Sequence, residues 1–341
     1  MSSTSYAVVG GGAIGGTLAF HLARAGHHVT VVDADPAHVA AINKHGLILD
    51  RAGSPESVRL SAAVPDAFSG PIDRVLLAVK AQATESAARW LAPRLGPDGY
   101  VVSVQNGFNE PVLADHLGWE RTVAAFVNIF ADRTEPGVIA DGGPGALVIG
   151  EPGGEPVSER VRLLVDDLQA WGPAQASDNV EGFLWAKAGF GAMLAATALA
   201  DEAMADLIDR HRPAMRALAG EVFDVAHALG IRLEPFDAFN PDAFVRGSDR
   251  DELAQAVDRL TAWLRTQPKN RSGIWRDLAV RRREVEVTTH YGTVLAEADR
   301  LGIGTPVLRA VMAGLRELED DPGSMSEQRI DELDRIAGSM V

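Results

Sequence analysis

An α/β domain built on a doubly wound, mainly parallel sheet, followed by an all-helical C-terminal domain, is the architecture this 341-residue chain predicts. Three observations predict it. The first half alternates short β-branched runs with helical stretches, a glycine-rich loop joins the first strand to the first helix, and helical patterns take over from about Asn179. At about 150 residues per domain the length suggests two domains. Residues 1–175 are read as the first, 176–330 as the second, and 331–341 as a polar tail.

The elements follow in order. Tyr6-Ala-Val-Val9 reads as a strand, the glycine turn follows, and a helix runs to about Ala25. Val29–Val32 is a second strand ended by Asp33, with a helix from about Pro36 to Lys44. Val75–Val79 and Val101–Val104 are a third and a fourth strand. Runs apolar on both faces suit a parallel sheet covered by helices on each side. Around Gly137 to Gly150, two apolar stretches flank Asp141-Gly-Gly-Pro-Gly, the pattern of a hairpin. In the second half Leu184 to Asp201 is rich in alanine. The segment Glu234 to Arg250 holds two prolines, glycine and scattered charges, and is expected to be a surface excursion rather than core.

Composition excludes several function classes. With 47 acidic against 32 basic residues the net charge is −15, which argues against a nucleic-acid partner. The absence of cysteine excludes disulfides, thiol catalysis and thiolate metal sites. The nine histidines show no ligand spacing, so no metal is expected, and His27, His28 and His290 read as structural. The N-terminus lacks a basic leader pattern, and the longest uncharged apolar stretch, Ala188 to Ala200, falls short of the ~18–20 residues that span a bilayer. The expectation is a cytoplasmic protein without a membrane partner.

Gly10-Gly-Gly12-Ala-Ile-Gly15 fits G-x-G-x-x-G in its required setting, after a strand, opening a helix, and before an acidic residue at the end of the next strand. This is the signature of a Rossmann-type dinucleotide site. Gly10 allows the tight turn, Gly12 lets the backbone approach a pyrophosphate, and Gly15 permits close helix–strand packing. Gly10, Gly12, Ala13, Ile14 and Gly15 are therefore candidate cofactor contacts, with amide donors at the helix N-terminus. Asp33 can accept hydrogen bonds from ribose hydroxyls and would repel a 2′-phosphate, so the expected cofactor is NAD(P)H with a lean to NAD(H). The alternative is that Asp33 only caps the following turn and an arginine from elsewhere reads a phosphate.

With these marks the chain resembles the ketopantoate reductase (2-dehydropantoate 2-reductase) family over nearly its whole length. The resemblance is carried by the glycine loop, Val79-Lys80-Ala, Gln105-Asn106-Gly107, Trp185-Ala-Lys187, Arg271-Ser272-Gly-Ile-Trp-Arg-Asp277, Glu286 six residues before Gly292, and Leu301-Gly-Ile-Gly-Thr-Pro306. It implies a Rossmann domain and a helical domain across a cleft, and NADPH-dependent reduction of a 2-oxo acid. By position, it makes Lys187 the lysine beside the substrate carbonyl and Glu286 the carboxylate that contacts the substrate hydroxyl. Lys80 and Asn106 would line the cleft on the cofactor side. Similar proteins also suggest a homodimer.

The residues themselves support part of this. Lysine occurs only at 44, 80, 187 and 269, the remaining 28 basic residues being arginine. A buried lysine can release its proton, which guanidinium cannot, and hydride addition to a ketone needs both a cation and a proton at the oxygen. The apolar neighbours of Lys187 fit that role better than a snorkelling surface side chain. Lys80 and Asn106 each follow the carboxyl end of a strand, where ligands bind in open α/β sheets, although Asn-Gly is also a common turn. Glu286 on its helix pattern alone would be solvated; its role rests on the resemblance. Ser272 lies 14 residues upstream of it, about 21 Å along a straight helix, so it either sits on a segment that folds back or caps a helix.

Departures from the family pattern bear on specificity. The family places asparagines four and eight residues after the lysine, where this chain has Gly191 and Ala195, and a second serine where it has Gly273. Trp275 adds an aromatic nearby. Gly191, Ala195, Ser272 and Trp275 are thus candidate substrate contacts, beside Lys80 and Asn106. Loss of hydrogen-bonding groups predicts a bulkier or less polar 2-oxo acid than ketopantoate. Alternatives on the same scaffold are an imine or amino-acid-type dehydrogenase, or a dinucleotide sensor without turnover, which would need neither Lys187 nor Glu286.

Overall fold

The computed structural model describes residues 4–143, 145–267 and 269–339 of the chain, which divides into two units, Met1–Glu181 and Gly182–Val341. In the first unit β1 (Ser5–Val9), α1 (Ala13–Arg24), β2 (His28–Val32) and α2 (Pro36–His45) lead into β3 (Leu47–Arg51), β4 (Ser54–Val58) and β5 (Ser61–Ala63). There follow β6 (Ile72–Leu77), α3 (Thr84–Leu91), β7 (Leu95–Ser103), α4 (Glu110–Leu117) and β8 (Thr122–Asn128). The unit closes with β9 (Ala131–Glu135), β10 (Val138–Asp141), β11 (Ala146–Gly150), α5 (Glu159–Leu168) and β12 (Ala174–Ala176).

Eight strands form one sheet in the order β12-β11-β8-β7-β6-β1-β2-β5, parallel except where β11 meets β8. Both faces are covered, and alternation along each strand shows why. Val8, Leu76 and Val102 point into one hydrophobic cluster, while Ala7, Val9, Val75, Leu77 and Val101 point into the other. The chain leaves β1 for β2 on one side and returns to β6 on the other, so the strand order switches beside β1. That switch point is where open α/β sheets bind ligands.

The expected hairpin over Gly137–Gly150 does not form. β10 joins a separate four-stranded sheet ordered β4-β3-β10-β9, whereas β11 joins the main sheet against β8 and β12. Each apolar stretch finds a different layer to bury in: Ile139 packs toward Gly16 of α1, and Leu147 and Ile149 enter the core beneath the main sheet. Pro144 of the expected turn lies outside the described residues.

In the second unit the helices are α6 (Val180–Thr197, starting at the boundary), α7 (Met204–Arg210), α8 (Arg212–Ala228) and α9 (Arg250–Thr266). α10 (Gly273–Ala279), α11 (Val287–Leu301), α12 (Pro306–Asp320) and α13 (Gln328–Gly338) complete it. α8 packs against α11, α12 and α13, and its Leu218, Val222 and Phe223 are fully buried. None of the described helices is long and apolar enough to cross a membrane.

Three further expectations need correction. The first unit runs past residue 175, because β12 pairs with β11 and Ser177 donates its amide to the Ile149 carbonyl at 2.9 Å. The segment 234–250 is not a surface excursion: Phe236, Phe239 and Phe244 are buried, with Phe236 and Phe239 against Phe190, Phe239 also against Phe223, and Phe244 against Phe239. Residues 331–338 are no tail but part of α13, with Ile330, Leu333 and Ala337 buried, because their apolar side chains repeat on one helical face.

Candidate active site

Sterics shape the glycine loop of the first unit. Gly10 has φ +95°, and a Cβ there would lie 2.7 Å from the Ala78 carbonyl carbon. A Cβ on Gly15 would lie 2.0 Å from the Gly10 oxygen and 2.9 Å from the Ala78 Cβ, so strand and helix meet only through glycine. Gly12 is different: a Cβ there would meet nothing within 4 Å. Gly12 is also the N-cap of the twelve-residue α1 and has no side chain to cap it. The amides of Ala13, Ile14 and Gly15 begin a helix that provides them no acceptor. A loop tight on the protein side and open at Gly12 fits a dinucleotide pyrophosphate.

Gly11 is held through both of its backbone polar groups. Its N–H donates to Asp33 Oδ2 at 2.7 Å, and its carbonyl accepts from His38 Nε2 at 2.8 Å. His38 Nδ1 in turn accepts the Gly137 amide at 2.8 Å, which places the ring proton on Nε2. His38 is fully buried and ties the loop to the turn between β9 and β10. Asp33 Oδ1 also accepts the Asp35 amide at 2.9 Å, so Asp33 does cap its turn. Asp35 caps α2 and pairs with Arg133 of β9 at 3.0 Å.

Lys80 and Asn106 are exposed and follow β6 and β7, the two strands next in order after β1. A buried network that sequence reasoning did not foresee ties their loops together. Gln105 Nε2 donates to the Val79 carbonyl at 2.9 Å and to Thr84 Oγ1 at 2.8 Å. Thr84 Oγ1 donates to Asn109 Oδ1 at 2.9 Å, and Asn109 Nδ2 donates to the Asn106 carbonyl at 2.8 Å. Beside it, burial pushes the Glu110 carboxyl up to about 7.

In the second unit Lys187 sits half-buried on α6. Desolvation brings its ammonium down to about 8, against the opposing pull of Asp237. Gly191 does not open a gap beside it: a Cβ there would lie 3.0 Å from the Tyr291 hydroxyl of α11, which donates to the Ala188 carbonyl. Tyr291 thus takes the space a longer side chain would need. Ala195, expected to contact substrate, is instead fully buried in the helical core and out of a ligand's reach.

The remaining predicted residues lie around α10 and the start of α11. Ser272 is buried and its Oγ accepts the Trp275 amide at 3.2 Å as N-cap of α10. The segment 280–286 separates α10 from α11, so no straight helix joins Ser272 to Glu286. Trp275 is half-buried under the Arg271 guanidinium, 5.4 Å from ring centroid to Cζ. A hollow of ≈ 320 Å³ there is lined by Lys269, Asn270, Arg271, Trp275 and Arg276. Its cationic lining suits a carboxylate. Glu286, N-cap of α11, faces His290 at 3.6 Å, a partner that the i, i+4 spacing could have disclosed. His211 is likewise committed, Nδ1 to Asp334 at 2.7 Å and Nε2 to Glu327 at 3.0 Å.

Family models for ketopantoate reductase PanE/ApbA match residues 6–154 and, for its C-terminal part, 179–319. The chain belongs to the ketopantoate reductase family. It is an oxidoreductase of that type, working with a nicotinamide dinucleotide. Among ketopantoate reductase relatives, the 2-dehydropantoate 2-reductase of Mesorhizobium japonicum is 27% identical over 94% of this chain and 99% of its own. A PanE/ApbA family ketopantoate reductase structure from Ralstonia eutropha is 32% identical, with TM-score 0.77 over 93% of this chain and 99% of that one. A D-mandelate dehydrogenase, solved with NADH and anilino(oxo)acetate, shares the fold at 20% identity and TM-score 0.77, over 93% and 99%.

Proposed function

We propose that this protein reduces a 2-oxo acid to the 2-hydroxy acid, with Lys187 as general acid. One observation carries this: a half-buried lysine on the family's Trp-Ala-Lys segment, whose ammonium desolvation holds near 8. An acid of that strength is largely protonated at neutral pH and still able to give its proton up. Its charge stabilises the oxyanion developing on the substrate carbonyl, and its proton completes the hydroxyl. Glu286 accepts a hydrogen bond from that hydroxyl, and the cationic hollow at Lys269, Arg271 and Arg276 holds the substrate carboxylate. When bound, the reduced nicotinamide supplies the hydride. The amides from Ala13 to Gly15 hold its pyrophosphate, with Lys80 and Asn106 at the neighbouring strand ends.

The preferred cofactor is NAD(H). Asp33 and Asp35 both follow β2, and although two amides bond to Asp33, its carboxylate oxygens retain lone pairs for ribose hydroxyls. A 2′-phosphate would meet that charge, and Arg133 beside it is already paired with Asp35. Steady-state kinetics with both cofactors check this, and a strong NADPH preference refutes it. The substrate tail is less polar than that of ketopantoate, because Gly191 offers no side-chain amide and the Tyr291 hydroxyl is engaged. Added bulk is not favoured, since Tyr291 occupies the freed volume. Turnover of apolar aliphatic 2-oxo acids of similar size should exceed that of 2-dehydropantoate, and the reverse order sinks the idea.

Lys187→Ala tests the central assignment. Loss of a general acid should lower kcat by about 10²–10⁴. NADH binding, followed by its fluorescence, should persist. A variant that keeps a tenth of wild-type kcat shows that the proton comes from elsewhere.

A further inference from the structure

We propose that Asp237 is a positioning residue for the reaction, holding Lys187 charged and oriented from a turn laid along α6. This inference rests on the assignment of Lys187 as general acid. The segment after α8 is docked on α6 at two points that bracket the lysine. Upstream, the Glu234 amide donates to the Gly182 carbonyl at 3.2 Å. Downstream, the Phe190 ring meets Phe236 at 6.0 Å and Phe239 at 5.3 Å between centroids. Lys187 lies between those anchors on α6, and Asp237 lies between them on the segment.

The turn is built to present a side chain. Phe236 and Phe239 exchange both backbone hydrogen bonds, at 3.2 and 2.9 Å, and bury their rings. Asp237, between them, is left exposed with φ +47°, a left-handed conformation that L-residues other than Asn and Asp adopt at a cost. Aspartate tolerates this conformation, and the paired phenylalanines on either side hold it there. The carboxylate attracts the Lys187 ammonium. Other titratable groups on the packed elements have engagements of their own. Glu234 pairs with Arg232 at 2.8 Å, Tyr291 donates to the Ala188 carbonyl, and His290 faces Glu286.

Asp237→Asn removes the charge and keeps both the size and the left-handed tolerance of the residue. Trace labelling of the full-length protein with an amine-reactive reagent, read by peptide mass spectrometry, reports the titration of Lys187 apart from activity. Lys44 and Lys269 of the same chain serve as internal controls. In the variant the Lys187 midpoint should fall by ~0.5–1 pH unit, the size of a solvent-screened opposite charge at about 5 Å. The alkaline limb of kcat should move down with it. In the wild type, raising salt from about 0.05 to 0.5 M should lower the same midpoint, by screening. An unchanged midpoint in the variant, or an unchanged wild-type midpoint in salt, overturns the proposal. Failure of the parent assignment looks different: Lys187→Ala would then keep its turnover whatever the labelling shows.

Discussion

His38→Leu isolates what holds the dinucleotide loop. Leucine is close in volume but carries no polar atom, so the buried Gly11 carbonyl and Gly137 amide both lose their partner. Each orphaned buried group costs about 1–3 kcal/mol, giving ~2–6 kcal/mol together. For a unit of this size 1 kcal/mol moves Tm by about 2–4 °C, so the variant should melt at least ~4 °C lower. The loop also loses one of the two bonds that fix Gly11, leaving Asp33 alone. Refixing roughly one backbone residue on binding costs ~1–2 kcal/mol, which weakens NADH about tenfold. Differential scanning calorimetry and NADH fluorescence titration measure the two effects. A variant within about 1 °C and twofold of wild type would show that His38 merely fills space.

Two glycine substitutions should separate folding from binding. Gly15→Ala places a methyl against the Gly10 oxygen and Ala78, and should lower Tm and soluble yield. Gly12→Ala meets nothing in the fold and should leave Tm unchanged while raising the Kd for NADH about tenfold or more; equal Kd values would refute the cradle. Glu110 predicts a pH dependence of stability. Burial raises its carboxyl to about 7, so between the unfolded value near ~4.3 and about 7 the folded state keeps a proton the unfolded chain has lost. Stability is therefore fully present below that window and declines as pH rises through it. Glu110→Gln stays neutral, so its stability relative to wild type should grow by ~3 kcal/mol from pH 4 to pH 8 in urea unfolding. A difference independent of pH would refute the shift.

Much of the first unit was legible because its signals are local. The glycine loop, the β-branched runs and the acidic residue closing β2 each occupy a few adjacent positions, and the parallel sheet follows from their order. The lysine count singled out Lys187 because one cation chemistry is scarce in an arginine-rich chain. The hairpin reading failed because β10 and β11 answer to different sheets, a choice made by partners as distant as β3 and β12. Ala195 was misplaced because helical spacing puts residues on one face without saying how far along that face the core closes over them.

The sequence by itself determined a dinucleotide-binding α/β unit and a helical unit and pointed to Lys187 as the lysine to test, since turn chemistry, side-chain period and residue type act over short stretches. Tertiary structure alone decided that His38 and Asp33 grip one residue of the loop, that Tyr291 fills the space left at Gly191, and that the segment carrying Asp237 docks on the helix carrying Lys187. These contacts join positions 22 to 100 residues apart. Burial and partner choice at such separations depend on how whole elements pack, and no local pattern encodes that.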